Sequence, residues 1–303
     1  MNFLDSELIQ NLTEEEEYWW DETIKEFRGS MVKEPEFYAQ YILEKKGITK
    51  EVLLKNIESL IFEVREEIWQ LYLKDESEFH TKVISYLVES RDLPKNILVN
   101  VIAEEFLQND LAKLSKEEIT GKVARIVGNY SGRIMPYIYA LSLSTTQSRR
   151  SRAGKTFERL IETFMEILGI PFGNQSSLGT SFYKENNLGK KVDLIVPGSE
   201  EYVKNRAKCA IVTMKTTLRE RWQEVAEELS RTNVPHIYLL TVDDTLTNSV
   251  ITTMKHYNIT VVLYKTEKET KFTEHDNVQD FNNFFTKEMP HIISYWKNNN
   301  DSK

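Results

Sequence analysis

The chain has 303 residues, of which 40% are hydrophobic and 28% charged, and its formal charge is −8. This composition excludes collagen-like, mucin-like and wholly disordered chains, and the length favours two domains. The acidic start lacks the basic and apolar segments of a signal peptide, and no apolar run is long enough to span a bilayer, so we expect a cytoplasmic protein. The single cysteine, Cys209, excludes an intrachain disulfide and a cysteine-based zinc site.

The first 125 residues are acidic and show helical periodicity throughout. They hold 16 Lys and Arg residues against 27 Asp and Glu residues, a formal charge of −11, whereas the remainder of the chain carries +3. Apolar residues recur at helical spacing, with Gly, Pro, Asp or Asn at the breaks. The pattern predicts helices over 16–31, 34–47, 50–74, 77–90 and 94–110. We therefore predict an all-helical N-terminal domain over residues 1–125.

Residues 126–303 change to a mixed pattern of strands and helices. Helices are predicted over 154–169, 217–232 and 247–258, strands over 190–198, 208–215, 234–244 and 259–266, and an amphipathic helical tail over 278–300. Strand–helix–strand order predicts parallel strands with right-handed crossovers. The fold class is therefore α/β, with a mixed central sheet flanked by helices. We expect the tail to pack against its own domain, and a dimer contact is the alternative.

Two residues of opposite charge lie in the first two strands of this second domain. Asp193 lies in the run VDLIV, and Lys215 ends the run IVTMK. If the two strands are hairpin neighbours, both side chains reach one edge of the sheet. There a carboxylate can bind a divalent cation and an ammonium group can stabilise charge on a phosphate. A structural ion pair is the alternative, and it is the more common use of such a pair.

The helix predicted over 217–232 adds further candidates. Glu228 lies at the border of its apolar stripe and can supply a second metal carboxylate, with a solvated acidic face as the alternative. Arg219, Glu220 and Arg221 stand at the helix start. Arginine donates a bidentate pair of hydrogen bonds to guanine, and glutamate accepts from the cytosine amino group, so this triplet is suited to a CCGG-type sequence. An exposed helix start with no role in recognition is the alternative.

A basic cluster lies upstream of the strands. The segment SRRSRAGKTFER concentrates positive charge that can contact phosphates even in an acidic protein. Solvated surface, or contact with a partner subunit, is the alternative for some of its members. The candidates for contact with the DNA backbone are Arg149, Arg150, Arg152 and Lys155.

Three segments together resemble a known family. QSRRSRAGKTFE, VDLIVP and TMKTTLRERWQEVAEE, in this order and spacing within residues 145–242, are similar to type II restriction endonucleases of the PD-(D/E)XK superfamily that read CC…GG sites. This group includes SsoII-, EcoRII- and NgoMIV-like enzymes, with BsaWI-like enzymes as a further relative. Thr213 stands where the superfamily motif has an acid, and in this group a glutamate on the following helix takes over that role.

The resemblance implies a restriction-endonuclease-like fold and a catalytic role for four residues. Asp193 and Glu228 are expected to bind Mg²⁺, with Lys215 as the catalytic lysine and Glu158 as an additional acid near the metal. The five dispersed histidines lack the spacing of a zinc hydrolase, so they offer no competing site.

The resemblance also implies which residues read the DNA. Arg219 and Arg221 are assigned to the guanines and Glu220 to the cytosines, in the major groove. Gln147 matches a position from which relatives touch the base pairs of the site from the minor groove, and a turn residue is the alternative.

We therefore expect a Mg²⁺-dependent endonuclease that cuts double-stranded DNA at a palindrome with a CCGG core, before the first C, leaving four-base 5′ overhangs. Family members that displace a central base hold it against an aromatic ring or arginine upstream of the basic helix. Residues 70–221 contain no tryptophan, which favours CCGG over CCNGG, although tyrosine or phenylalanine can substitute. A repair or recombination nuclease of the same superfamily is an alternative, and an inactive DNA-binding protein is another.

The expected partners follow from a palindromic site. Two identical half-sites predict a homodimer, with larger assemblies on DNA as an extension. We expect a cognate DNA methyltransferase to act on the same site without forming a stable complex, in the cytoplasm of a prokaryote.

Overall fold

The computed structural model describes residues 9–106, 114–186, 188, 192–218, 223 and 236–300. The chain divides into two compact units, each built from two separate stretches. The first unit combines Met1–Glu34 with Trp69–Ser151, and the second combines Pro35–Ile68 with Arg152–Lys303. The units are thus interleaved along the chain, whereas the predicted domains, 1–125 and 126–303, are continuous. The assignment of those two domains stays a prediction.

Helices occupy most of the first half of the chain, as the spacing of its apolar residues predicts. The first helix begins after Thr13, whose hydroxyl accepts a hydrogen bond from the Glu16 amide, and its acidic first turn lies at the positive end of the helix dipole. The helices are α1 (Glu14–Met31), α2 (Pro35–Lys46), α3 (Lys50–Ser90), α4 (Asp92–Phe106), α5 (Lys116–Arg133) and α6 (Met135–Leu168). Among the described residues, no helix is both long enough and apolar enough to cross a membrane.

Two of these helices are longer than the sequence pattern predicts. The separate helices predicted over 50–74 and 77–90 form the single helix α3, with non-helical dihedral angles at Asn56. Helix α6 begins at Met135, well before the predicted start at 154. Its middle part is polar and therefore lacks an apolar stripe, but local hydrogen bonds such as Thr146 Oγ1 to Ser142 O satisfy its side chains within the helix.

Trp20 lies at the centre of the first unit. Its side chain is fully buried, and its indole Nε1 donates to the carbonyl of Tyr137 at 3.0 Å. The Tyr137 ring meets the indole edge-on, with 5.4 Å between the ring centroids. Aromatic pairs in this edge-to-face arrangement stabilise the fold beyond the contribution that comes from burying their apolar area. Helix α1 is thereby fixed against the start of α6.

The first unit also contains an ion pair between the buried Glu76 and the exposed Arg149. Arg149 Nε donates to both carboxylate oxygens of Glu76 at 3.0 Å, its Nη2 makes a further contact with Oε2, and the Tyr72 hydroxyl donates to Oε1. The Arg149 guanidinium also lies 5.5 Å from the ring centroid of Trp69. Burial raises the pKa of Glu76, but the hydrogen bonds from Arg149 and Tyr72 outweigh it and leave that pKa below its ordinary value.

The second unit contains a six-stranded mixed sheet, as the fold class predicts. Its strands, β1 to β6 in chain order, also lie side by side in that order. β1 pairs antiparallel with β2 and β2 with β3, whereas β3, β4, β5 and β6 run parallel. The strands are β1 (Gly173–Asn174), β2 (Leu194–Val196), β3 (Ala210–Lys215), β4 (Ile237–Thr241), β5 (Ile259–Leu263) and β6 (Val278–Asp280).

Helices cover this sheet, and its central strands are therefore buried. Every residue of β4 and of β5 is buried, which is typical of parallel strands between helical layers. The helices of this part are α7 (Gln175–Glu185), α8 (Ser199–Asn205), α9 (Asn248–His256), α10 (Lys265–Lys271), α11 (Phe281–Asn283) and α12 (Met289–Asn300). The strand predicted over 259–266 is shorter than expected, because α10 begins directly after Tyr264. The helix predicted over 217–232 lies almost wholly outside the described residues.

The C-terminal tail packs against its own unit, as expected. Trp296 is buried in the core cluster of the sheet, and its Nε1 donates to the carbonyl of Lys208 at 3.0 Å. The tail is not wholly helical, since Val278–Asp280 forms the edge strand β6. Asp280 then accepts from the Asn283 amide and starts the helix that follows.

We predict that Glu76→Gln lowers the free energy of unfolding by about 1–3 kcal/mol at neutral pH, because it removes one charge from a pair whose carboxylate is buried. The folded-state pKa of Glu76 is lowered, so its contribution is fully present above its ordinary value of 4.5 and is lost as the pH falls through the folded-state pKa. Urea unfolding at several pH values should therefore show the difference between wild type and variant shrinking in acid. Glu78→Gln, on an exposed position of the same helix, is the control. Equal effects of the two substitutions would contradict the prediction.

Candidate active site

The β2–β3 hairpin brings Asp193 and Lys215 together, as the sequence predicts. Asp193 directly precedes β2, and its amide donates to Val212 O of β3 at 2.9 Å. The register pairs Leu194 with Val212, so the end of β3 lies beside the start of β2. As a result, Lys215 Nζ lies 3.2 Å from Asp193 Oδ2.

One carboxylate oxygen of Asp193 receives all of its described hydrogen bonds. Oδ2 accepts from the Met214 amide at 2.6 Å, from Lys215 Nζ at 3.2 Å and from Thr213 Oγ1 at 3.4 Å. Within the described part of the chain, no hydrogen bond reaches Oδ1. Burial raises the pKa of Asp193, and Lys215 and these hydrogen bonds only partly offset that effect. The backbone and Lys215 thus fix the orientation of the carboxylate through one oxygen.

Glu158 lies in the same cleft, on helix α6. Burial and the negative charge of Asp193 raise the pKa of its carboxyl to about 7, although the positive charge of Lys215 opposes the shift. Two carboxylates that disfavour each other's ionised form in a partly buried site are a typical environment for a bound cation. The structure therefore places Glu158 beside the Asp193–Lys215 pair, where the resemblance puts an additional acid.

The cleft has a volume of about 480 Å³ and is lined entirely by residues of the second unit. Its lining contains both carboxylates and cationic groups, which suits a site that must hold both a metal and a phosphate. Its lining comprises Glu36, Lys155, Glu158, Arg159, Glu162, Asn174, Gln175, Ser176, Asp193, Met214 and Lys215.

Several of these lining residues were missed by sequence reasoning. Glu162 accepts from Asn174 Nδ2 at 2.8 Å and lies 3.3 Å from the Arg159 guanidinium. Gln175 Nε2 donates to Val192 O at 3.0 Å, next to Asp193. The spacing of Glu162 four residues after Glu158 is a signal that places both on one helix face. Glu36 lies far away in sequence, so no local pattern connects it with the cleft.

The residues expected to read bases are not part of the described structure. Arg219, Glu220, Arg221 and the expected metal ligand Glu228 all lie outside the described residues. Gln147 is described, and it is exposed on helix α6 within the first unit.

The four basic candidates differ in their surroundings. Arg149 forms the ion pair with Glu76, so part of its hydrogen-bonding capacity is already used. Arg150 is exposed in the first unit, and Arg152 is half-buried in the second. Lys155 is exposed and lines the cleft that contains Glu158 and Asp193. The described structure therefore brings only Lys155 of these four to the cleft.

The described side chains of this cleft supply some of the donors that a metal ion could use. Among them, no three His, Cys, Asp or Glu side chains form a group that could hold a metal ion. Asp193 offers a carboxylate oxygen without a described hydrogen bond, and Glu158 lies close enough for the charge of Asp193 to affect its pKa. Such carboxylates are the donors that hard divalent cations such as Mg²⁺ prefer, so the residues present fit the ion as part of its ligand set.

Comparison with known proteins gives consistent results. Residues 117–285 match the family model described as EcoRII C terminal. The chain is 33% identical over 245 residues, 81% of its length, to the type II restriction enzyme SsoII of Shigella sonnei, and covers 72% of that protein. The structure is similar to that of metal-depleted Ecl18kI in complex with uncleaved DNA, with a TM-score of 0.73 and 28% sequence identity. The match covers 93% of this chain and 86% of the Ecl18kI chain.

A more distant structure has the same fold. The restriction endonuclease PspGI in a substrate DNA complex matches 87% of the chain, and 94% of that protein is covered, with a TM-score of 0.58 and 15% identity. At that identity the similarity shows only the fold. Enzymes of this kind bind DNA and depend on a divalent metal. Given the extent of the matches to the EcoRII model and to SsoII, the chain belongs to this EcoRII- and SsoII-related family of type II restriction endonucleases and is a site-specific deoxyribonuclease.

Proposed function

We propose that the chain hydrolyses phosphodiester bonds with Asp193, Lys215, Glu158 and Glu228, with Mg²⁺ as its metal. The observation that carries the proposal is the 3.2 Å contact between Lys215 Nζ and Asp193 Oδ2 in an open cleft of mixed charge. A purely structural ion pair has no need of a cleft, nor of the additional acid Glu158. Glu228 enters the proposal through the resemblance, because the second metal carboxylate is expected on the helix after Lys215.

Each described residue has a distinct part in this chemistry. Asp193 and Glu228 would hold Mg²⁺, with Glu158 as an additional acid near the ion, and the ion would supply Lewis-acid polarisation of the scissile phosphate. Lys215, held by Asp193 Oδ2 and by Met214 O at 2.8 Å, keeps a positive charge where negative charge develops on the phosphate oxygens. Because both contacts already orient the ammonium group, little reorganisation is needed when the phosphate enters.

We predict that Asp193→Asn and Lys215→Ala each lower the cleavage rate by about a hundredfold or more, since loss of one preorganised electrostatic group has effects of that size. DNA binding should remain, because neither residue reads bases. Plasmid cleavage with Mg²⁺, with EDTA and after Mg²⁺ is restored tests the chemistry, and gel shifts in Ca²⁺ test binding.

Lys184→Ala, an exposed lysine on α7 away from the cleft lining, serves as the matched control. A variant of Asp193 or Lys215 that cuts at more than about a hundredth of the wild-type rate contradicts the assignment. Activity that survives EDTA contradicts the metal requirement.

We propose further that the recognition site is a palindrome with CC and GG halves. Arg219 and Arg221 would donate to guanines and Glu220 would accept from cytosines, in the major groove. Gln147 would contact base pairs from the minor groove, and the backbone contacts would be made by Arg149, Arg150, Arg152 and Lys155. The support for this set is the chemistry of the side chains and the membership of the family.

Two forms of this site remain as candidates, and a specific observation favours each. The absence of tryptophan between residues 70 and 221 favours an uninterrupted CCGG core with four-base 5′ overhangs. Trp69 stands just before that interval, half-buried, with Tyr72 stacked on it at 5.2 Å between centroids and Arg149 of the basic cluster 5.5 Å from its ring. An aromatic ring thus lies beside the start of the basic cluster, and this favours a CCNGG site in which the central base is displaced onto an aromatic surface.

We predict that the form of the site can be read from the ends of the cleaved DNA. A CCGG core gives four-base overhangs and little change in the fluorescence of 2-aminopurine at the centre of the site. Displacement of a central base gives five-base overhangs and strong fluorescence enhancement, because an unstacked 2-aminopurine is no longer quenched. Sequencing the fragment ends and repeating the fluorescence measurement with Trp69→Ala decides between the two forms. Ends without a CC…GG core contradict both.

A palindromic site leads us to propose a homodimer. One chain carries one set of catalytic residues and one recognition triplet, whereas the duplex has two strands and two half-sites. We propose that larger assemblies form on DNA, and that a methyltransferase protects the same site in the prokaryotic cytoplasm without a stable complex.

We predict that light scattering gives the mass of two chains, about twice 35.6 kDa, in the absence of DNA. The same measurement with a duplex containing one site should add the mass of one duplex per dimer, because both half-sites are occupied together. A monomer that cuts both strands in a single encounter would contradict this argument.

A further inference from the structure

Asp243, in the loop after β4, binds the backbone between the catalytic and recognition residues. Asp243 is buried, with only 5% of the residue exposed to solvent. Its Oδ2 accepts from the Leu218 amide at 2.6 Å, and Leu218 is itself fully buried. Leu218 is followed directly by Arg219, the first residue of the proposed recognition triplet. The carboxylate therefore holds the last described residue before that triplet.

The Asp243 carboxylate is itself held in one orientation. Its Oδ1 accepts from the Thr245 amide at 3.0 Å and from Thr245 Oγ1 at 2.6 Å. The Asp243 amide donates to Thr241 Oγ1 at 3.1 Å. A carboxylate with both oxygens engaged cannot rotate without losing charge-assisted hydrogen bonds, which are about twice as strong as neutral ones. Asp243 therefore acts as a rigid anchor for the Leu218 amide.

The sheet places this anchor at the same level as the catalytic lysine. β3 and β4 run parallel, and Lys215 is the register partner of Thr241. Leu218 follows Lys215 by three residues, and Asp243 follows Thr241 by two. The hydrogen bond from the Leu218 amide to Asp243 thus links the segments that follow the carboxyl ends of β3 and β4. It fixes the short segment that connects Lys215 with Arg219.

We propose that Asp243 is a positioning residue for sequence discrimination, which sets the recognition triplet relative to the catalytic lysine through the Leu218 amide. This inference rests on the proposed role of Arg219, Glu220 and Arg221 in base readout. Readout by bidentate hydrogen bonds depends on donor and acceptor positions to a fraction of an ångström. Loosening this segment weakens the interaction with the correct bases more than that with incorrect bases, because only the correct bases make the full set of hydrogen bonds.

The distinguishing measurement is a ratio. The discrimination ratio is defined as kcat/KM on the cognate site divided by kcat/KM on a site with one altered C·G pair. A substitution that only lowers the folded fraction reduces both values equally, so the ratio is unchanged. We expect Asp243→Asn to lower this ratio about tenfold or more, since it weakens the hydrogen bond that the Leu218 amide donates to a buried charged acceptor.

The control is Asn277→Ala, which removes another buried polar side chain, in the turn before β6. Asn277 Nδ2 donates to Ile251 O at 3.1 Å and to Ile259 O at 3.3 Å, at positions that do not line the cleft. We expect this variant to lower thermal stability while leaving the discrimination ratio at its wild-type value. If Asp243→Asn lowers stability and also leaves the ratio unchanged, the proposal is wrong.

A second comparison separates this proposal from the proposed function. Glu220→Ala should lower the ratio by itself, and Asp243→Asn should lower it little further in that background, because both changes act on the same readout. If Glu220→Ala leaves the ratio unchanged, the assignment of the triplet fails. If Glu220→Ala lowers the ratio and the two effects multiply independently, the assignment of the triplet holds and the positioning role of Asp243 fails.

A second variant covers the case in which Asp243→Asn does not fold. Thr245→Val removes only the 2.6 Å hydrogen bond from Thr245 Oγ1 to Asp243 Oδ1, and we expect it to lower the ratio in the same direction. An unchanged ratio would overturn the proposal.

Discussion

The candidate site depends on the antiparallel pairing of β2 with β3. This pairing places Asp193 beside the end of β3, where the Met214 amide and Lys215 Nζ both donate to one carboxylate oxygen. A buried carboxylate needs such donors, because an uncompensated charge in a partly dry site is costly. The donors come from consecutive residues of one strand, so a shift of register by one residue would separate Asp193 from Lys215 and reverse the faces of the intervening side chains. On its other edge, β3 pairs in parallel with the buried strand β4, and this pairing keeps β3 in place.

The charges that line the cleft are compatible with a bound divalent cation. Its lining includes Glu36, Glu158, Glu162 and Asp193 as well as three basic residues. A phosphodiester entering a site with these carboxylates ionised meets electrostatic repulsion, and burial, together with the negative charge of Asp193, raises the pKa of Glu158. A divalent cation relieves both effects. The metal dependence of this enzyme class is therefore consistent with the charges of this cleft.

The parts of the structure that follow local patterns could be predicted from the sequence. Helices with an apolar stripe, the buried strands and the Asp193–Lys215 contact follow from periodicity and from residues at strand ends. The early start of α6 was missed, because the polar run over 144–152 separates the apolar beginning of this helix from the part with a clear apolar stripe. Glu36 and Asp243 were missed for a different reason. Their partners lie far away in the sequence, and only the packed chain brings Glu36 to the cleft or Asp243 to the Leu218 amide.

The interleaving of the two units has a consequence for the order in which the chain assembles. The first unit encloses a loop of 34 residues, Pro35–Ile68, whereas the second encloses 83 residues, Trp69–Ser151. Treated as flexible loops, the longer one costs about 0.8 kcal/mol more in closure entropy, so the first unit closes at the smaller cost. The first unit is also complete as soon as Ser151 has been synthesised, while the cleft still lacks both strands of its hairpin. A nascent chain therefore carries a complete helical unit while the 64 residues from Arg152 to Lys215, which include both strands of the hairpin, are still to be made.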